Sequence, residues 1–309
     1  MLAAMLPWAG LAAPPSSAWV TAWADEFNGA RLDAGIWSAG ALPWGGRHHN
    51  DQYASYIMPE DAFLENGTLV LRCRKAAGNE FGGYPYSEGF VHTNGKKNDT
   101  YGYVEMRARF PAGRGVWPAF WTLSQGWPPE FDIAEYFGSD DRLHMGLAYG
   151  SSWQDVQWAS SNFYGAAAGQ WHSYGLEWGP GYAVWYKDGV ARKNITAPYV
   201  PAVPMYVILN SGMRWDADAS TPFPNSFEVD YCRLYRLPAT MLNDNTVGSG
   251  LGQFSYTGPW SYWGSEAGAY LHDNHWTDRA QAFYQVRFTG ARLDLYGAKA
   301  PNHGIAAVS

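Results

Sequence analysis

Residues 101–137 read YGYVEMRARFPAGRGVWPAFWTLSQGWPPEFDIAEYF. Three short runs, Gly102–Phe110, Val116–Leu123 and Glu130–Tyr136, are rich in β-branched and aromatic residues or alternate in polarity. Turn signals separate them: Pro111-Ala112-Gly113 and Trp127-Pro128-Pro129. Such residues suit a pleated surface, and Gly and Pro interrupt one. The spacing predicts short strands joined by turns rather than βαβ units.

The pattern extends in both directions. Thr68–Arg74, Leu143–Tyr149, Trp171–Trp178, Tyr182–Lys187, Met205–Asn210 and Phe227–Leu237 read as strands. Asn66-Gly67, Gly179-Pro180-Gly181 and Asp188-Gly189 read as turns. No stretch holds a 3.6-residue apolar period over a dozen residues. An all-β sandwich or barrel is expected.

Composition agrees and excludes several classes. The 309 residues include 17 Trp, 21 Tyr, 35 Gly and 19 Pro, while charged residues are 16%, low for a soluble domain. Lys+Arg is 21 against Asp+Glu 28, a net charge of -7 with no basic run, so no nucleic-acid partner is expected. No apolar run reaches the 18 residues of a membrane span. Cys73 and Cys232 are too few for a disulfide framework or a four-thiolate zinc site. They form either one bridge or two buried free thiols.

Three segments follow from the composition shifts. Residues 1–19, opening MLAAMLPWAGLAAPPSS, are apolar and uncharged over their first 17 positions; they read as a secretory-signal remnant or a disordered leader. A secreted, extracellular or periplasmic location is expected, as is a monomer. Residues 20–237 hold the strand-like runs. Past Leu237-Pro238 comes NDNTVGSGLGQ and then new strand-like runs in QAFYQVRFTG and ARLDLYG. Residues 238–309 therefore read as a linker and an incomplete accessory β-sandwich module.

The densest chemistry lies in WPPEFDIAEYF, which places Glu130, Asp132 and Glu135 within six residues. On a regular strand Glu130 and Asp132 share one face, and Glu135 falls on the other. One β-bulge restores its facing. Three carboxyls that close repel, which raises at least one pKa and makes a proton donor. Two carboxyls about 5–5.5 Å apart suit a retaining glycosidase, one attacking the sugar carbon and one protonating the leaving oxygen. The other reading is three solvated carboxylates on an exposed strand. Trp117, Trp121 and Trp127 lie nearby and offer flat rings for sugar C–H groups, or else pack a core.

Taken together, these residues resemble glycoside hydrolase family 16. The likeness is carried by DEFNG (Asp25–Gly29), LENGTLVLR (Leu64–Arg72), YGYVEMRARFPAGRG (Tyr101–Gly115), GVWPAFWTL, EFDIAEYFG, WHSYGLEW (Trp171–Trp178) and VDYCRLY (Val229–Tyr235), in the family's order. The resemblance implies a two-sheet antiparallel jelly roll with a concave cleft and a retaining endo-hydrolase mechanism needing no cofactor for its chemistry. By it, Glu130 is the nucleophile, Glu135 the general acid/base and Asp132 the assisting carboxylate, with repulsion from the other two expected to keep Glu135 protonated. ExDxxE resembles the bulged branch of laminarinases, agarases, porphyranases and carrageenases.

Within that branch, WGGRHHNDQYASY (Trp44–Tyr56) departs from the family's pattern, with Asp51 where laminarinases usually carry Glu. Sulfated galactans call for several basic groups; Arg47, His48, His49 and Arg214 are the candidates on an acidic background. A neutral β-1,3-glucan or mixed-linkage β-glucan is the expected substrate. The alternatives are an algal galactan (agarose, porphyran or carrageenan type) or carbohydrate binding without catalysis. Substrate contacts are expected from Trp44, Trp117, Trp121, Trp127, His144 and Arg214, with Asn50, Asn210 and Trp215 as weaker candidates. The resemblance also implies a structural Ca²⁺ held by the Glu26 and Gly67 carbonyls and the Asp230 carboxylate, hard oxygen donors that suit this ion. His172 reads as structural.

Overall fold

The computed structural model describes Pro14 and residues 19–138, 140–166, 168–238, 245–263, 274–279 and 281–288. The expected leader lies outside the described residues apart from Pro14 and Trp19. The chain divides into two compact units between Leu237 and Pro238.

The first unit is built from two large antiparallel sheets. One has eight strands and runs Val190–Thr196, Tyr182–Lys187, Trp171–Gly179, Gly102–Arg109, Asn225–Arg236, Thr68–Cys73, Ala62–Glu65, with Val20–Asp25 also paired to Asn225–Arg236. The other has nine and runs Gln157–Trp158, Arg142–Tyr149, Glu130–Tyr136, Val116–Leu123, Met205–Met213, Phe90–His92, Ser38–Ala39. Ser161–Tyr164 and Asn98–Asp99 pair beside Arg142–Tyr149 and Met205–Met213. Helix among the described residues is limited to a 3₁₀ turn at Pro59–Asp61. This is the jelly-roll sandwich expected from the sequence.

Alternation explains the layering. Phe120, Phe131, Met145, Leu147 and Leu209 of the nine-stranded sheet meet Leu176, Trp178, Trp185 and Phe227 of the other in one fully buried core. Phe131 packs 6.0 Å from Trp178 and 5.6 Å from Trp185, ring to ring. Cys73 and Cys232 are buried free thiols.

Besides the short strands of two to four residues elsewhere in this unit, three strands of the eight-stranded sheet escaped the sequence pattern: Val20–Asp25, Ala62–Glu65 and Val190–Thr196. The last two lie at the ends of the eight-stranded sheet, where half-exposed residues blur alternation. Several connections cross between the layers rather than forming a simple meander. Gly102–Arg109 belongs to the eight-stranded sheet and Val116–Leu123 to the nine-stranded one, so Pro111–Gly115 crosses between layers. Gly115 makes that crossing at φ 78°, and a Cβ there would lie 2.6 Å from the Ala217 nitrogen.

The second unit contains two two-stranded antiparallel pairings, Phe254–Thr257 with Phe283–Val286 and Ser261–Trp263 with Asn274–Trp276. The sequence expected further strands in residues 289–309, which lie outside the described residues.

The inter-sheet core yields a direct test. Phe131→Ala deletes a fully buried ring and should cost about 3–5 kcal/mol in urea unfolding of the protein. A loss below ~1 kcal/mol would contradict this packing.

Candidate active site

The acidic strand, Glu130–Tyr136, lies between Val116–Leu123 and Arg142–Tyr149. Its register places Asp132 opposite Gly146 and Glu135 opposite His144, so three steps on one strand answer two on the other. That offset is a β-bulge across Ile133 and Ala134, both fully buried. Phe131, Ile133, Ala134 and Tyr136 join the core, while Glu130, Asp132 and Glu135 line a cleft of about 1140 Å³. From the opposite sheet, the Trp185 indole N–H donates to the Asp132 carbonyl at 2.9 Å.

Every candidate contact except Asn210 lines this cleft: Trp44, Asn50, Trp117, Trp121, Trp127, His144, Arg214 and Trp215. Their roles differ. Trp127 donates to Glu130 Oε2 at 2.8 Å and Trp117 to Glu135 Oε1 at 2.8 Å. Trp121 is buried and donates to Asn210 Oδ1 at 2.9 Å, which accounts for Asn210 as support beneath the floor. Tyr53 stacks on Trp117 at 4.2 Å and 11°, covering a face expected to meet sugar. His49 stacks on Tyr53 at 4.1 Å and bonds the buried carboxylate of Glu88 at 2.7 Å. Exposed rings remain at Trp44, Trp127, Trp158 and Trp215, between 39% and 58% exposed.

His144 faces the acids. Its Nδ1 lies 3.1 Å from Asn162 Oδ1, and its Nε2 is 3.8 Å from both Asp132 Oδ2 and Glu135 Oε2. Among the described residues, Asp132, Glu135 and His144 are the group whose ligand atoms converge within 4.8 Å. His172 sits elsewhere, bonded to Asp188 at 2.7 Å, in keeping with a structural role.

Sequence reasoning missed Tyr53, Trp158, Asn162, Asp216 and Gly146. Gly146 stands opposite Asp132, and a Cβ there would lie 3.0 Å from Asp132 Oδ2, 3.1 Å from His144 Nε2 and 2.8 Å from Ser160 Oγ. The Gly between Met145 and Leu147 in an otherwise regular strand was the available signal.

Burial raises all three carboxyls. Glu130 is pushed up to about 7 by burial and then by the Glu135 charge, against hydrogen bonds from Asp132 and Trp127. Asp132 is held well above the usual range by burial, by both glutamate charges and by its hydrogen bond to Glu130. Glu135 is raised by burial, opposed by His144 and by the Trp117 hydrogen bond. The expectation that repulsion keeps Glu135 protonated is therefore corrected. Desolvation is what raises Glu135, and repulsion falls on Glu130 and Asp132. Chemically, the cleft offers two buried carboxyls, Glu130 and Glu135, each held by an indole donor, with Asp132 as a third carboxyl hydrogen-bonded to Glu130.

The three calcium candidates are near one another in register, since Asp25 pairs Cys232 and Leu69 pairs Val229. The Asp230 carboxylate accepts from Arg107 at 2.9 Å, and the Glu26 carboxylate pairs with Arg233. An ion would have to draw Asp230 away from Arg107.

With this geometry in hand, comparison with known proteins gives a consistent picture. The family model for glycosyl hydrolases family 16 matches residues 49–233. The endo-1,3-1,4-beta-glycanase ExsH of Rhizobium meliloti is 29% identical over 245 residues, covering 70% of this chain and 52% of that protein. The chain thus spans about half the length of that relative. A glucan endo-1,3-beta-glucosidase of Cryptopygus antarcticus is 30% identical over 259 residues, covering 70% of this chain and 92% of that protein. The catalytic domain of an endo-1,3-beta-glucanase (laminarinase) from Thermotoga petrophila superposes with a TM-score of 0.61 at 28% identity, covering 72% of this chain and 99% of that one.

Gly146→Ala tests the fit of the cleft. The added methyl displaces Asp132 or His144 while leaving the core side of the strand untouched. Turnover should fall by about 10- to 100-fold with the unfolding midpoint nearly unchanged. Unaltered turnover would show that the close approach is not needed.

Proposed function

The chain belongs to glycosyl hydrolases family 16, and on that premise we propose that it is a retaining, endo-acting hydrolase of a β-linked glucan. The observation that carries this reading is the bulged strand with Glu130, Asp132 and Glu135 on one wall of an open cleft. Glu130 attacks the anomeric carbon while Glu135 protonates the departing glycosidic oxygen. Glu135 then takes a proton from the water that releases the product, and the anomeric configuration is retained. Asp132 shares its proton with Glu130 and limits the negative charge of the trio.

A neutral substrate is favoured by how the cations of the cleft are engaged. Arg214 lies 3.4 Å from Asp216, and His49 is bonded to Glu88. A sulfate would enter beside three carboxyls and meet an arginine already facing Asp216. β-1,3-Glucan or mixed-linkage β-glucan fits this charge balance. A polysaccharide substrate outside the cell would go with a secretory signal within residues 1–19.

Glu130→Gln and Glu135→Gln should each lower turnover on laminarin-type glucan by at least about 10³-fold while binding persists, and Asp132→Asn should cost less. Near-normal turnover of either glutamate variant would overturn the assignment. A reducing-sugar panel of β-1,3-glucan, mixed-linkage glucan, agarose and carrageenan separates glucan from galactan. Activity on none of them would favour a binding protein. NMR of the first-formed product should show the β anomer, and an initial α anomer would exclude the double displacement.

We also propose Ca²⁺ at the Glu26 and Gly67 carbonyls with Asp230. Excess Ca²⁺ against chelator should raise Tm by about 2–5 °C. An unchanged Tm would leave Arg107 as the Asp230 partner and remove calcium from this chain.

A further inference from the structure

The paired carboxyls are each held by one indole, and this bears on the proposed reaction. Trp127 Nε1 donates to Glu130 Oε2 and Trp117 Nε1 donates to Glu135 Oε1, both at 2.8 Å. We propose that Trp127 and Trp117 are positioning residues, Trp127 orienting Glu130 as nucleophile and Trp117 orienting Glu135 as acid/base. The inference rests on the glycosidase reading above and adds roles to two residues that sequence patterns offer only as sugar platforms.

The geometry of Trp117 supports an edge role. Tyr53 lies parallel on its ring at 4.2 Å, Phe137 is 5.3 Å away, and the Arg214 guanidinium sits 6.0 Å from its centroid. With a face covered, its N–H edge is what reaches Glu135. Trp127 is placed by the loop before the acidic strand, three residues ahead of Glu130, with Trp158 beside it at 6.5 Å.

An indole N–H donates only; it neither accepts nor titrates in water. On Glu130 it stabilises the anion that must attack. On Glu135 it occupies Oε1, so the transferable proton belongs on Oε2, the oxygen 3.8 Å from His144 Nε2. Other groups face the same carboxyls. Asp132 shares their strand, His144 comes from Arg142–Tyr149, and Tyr206 comes from Met205–Met213 and senses the Glu130 charge. Tyr53 senses Glu135, Glu88, Glu130 and Asp132. None of them is removed by changing an indole to a phenyl ring, so the hydrogen bond is the polar contact with these carboxyls that each Trp→Phe variant deletes.

The test is the pH dependence of kcat/KM on a soluble β-glucan oligosaccharide. The acid limb reports Glu130, which must be ionised, and the alkaline limb reports Glu135, which must be protonated. Both N–H groups favour the carboxylate form, so each removal raises the pKa of its partner. Trp127→Phe should move the acid limb up by about one pH unit and leave the alkaline limb in place. Trp117→Phe should move the alkaline limb up and leave the acid limb in place. If activity falls with neither limb moved, the proposal is overturned and the rings act through packing or sugar stacking. If the limbs respond in exchanged order, the indole contacts stand and the roles of Glu130 and Glu135 are reversed. Should Trp117→Phe fail to fold, the indole ¹⁵N resonances answer in the unaltered protein. The Trp117 signal should titrate with the alkaline limb, and Glu135→Gln should abolish that titration while sparing Trp127. A Trp117 resonance insensitive to Glu135→Gln would overturn the proposal.

Discussion

The bulge at Ile133–Ala134 is the constraint from which the cleft follows. Without it Glu135 would point into the core beside Phe131, where an unpaired carboxyl is costly to bury. With it, four apolar side chains of the acidic strand enter the core and three carboxyls leave it. A bulge interrupts the ladder, and the polar backbone exposed there needs a partner. Trp185 supplies one, donating from the opposite sheet to the Asp132 carbonyl. The sandwich thus acts on the site directly: the ring that packs against Phe131 also holds the kink that aims Glu135.

Much of this was legible in the sequence, for a physical reason. Central strands such as Val116–Leu123, Glu130–Tyr136 and Tyr182–Lys187 carry clear patterning because one or both faces are buried, and their bounds match the expected runs. ExDxxE implied the bulge because three acids cannot share a core with Phe131 and Ile133. Strands at the ends of the eight-stranded sheet were not legible, since their residues are half exposed and alternate weakly. Nor were the contacts made between distant segments. Nothing in the local sequence of Tyr53 announces that it covers Trp117, or in Gly146 that it clears space for Asp132.

The same limit explains the corrected cause of the Glu135 shift. Spacing along a strand shows that like charges are close, and repulsion is the natural inference. It does not show how thoroughly the surrounding rings exclude water. Here Trp117, Tyr53, Phe137 and Trp121 surround the acids, and desolvation outranks repulsion for each of the three. Repulsion then distributes the protons among them rather than creating the need for them.

Aromatic abundance in this chain therefore has a divided use. Trp178 and Trp185 fill the core, and the Trp185 N–H meets backbone. Trp117 and Trp121 turn edges toward carboxyl and amide oxygens under the cleft. Trp44, Trp158 and Trp215 keep large exposed areas along it. A sugar chain binds weakly to any one ring, so an endo-acting cleft gains by spreading platforms along its length. A reacting carboxyl gains in the opposite way, from a single fixed donor in a site with little water. Indole serves both needs because its face is apolar and its edge carries one N–H. Tyr53 covers a face of Trp117 and leaves it the edge, whereas Trp127 keeps an exposed face beside the edge it turns to Glu130.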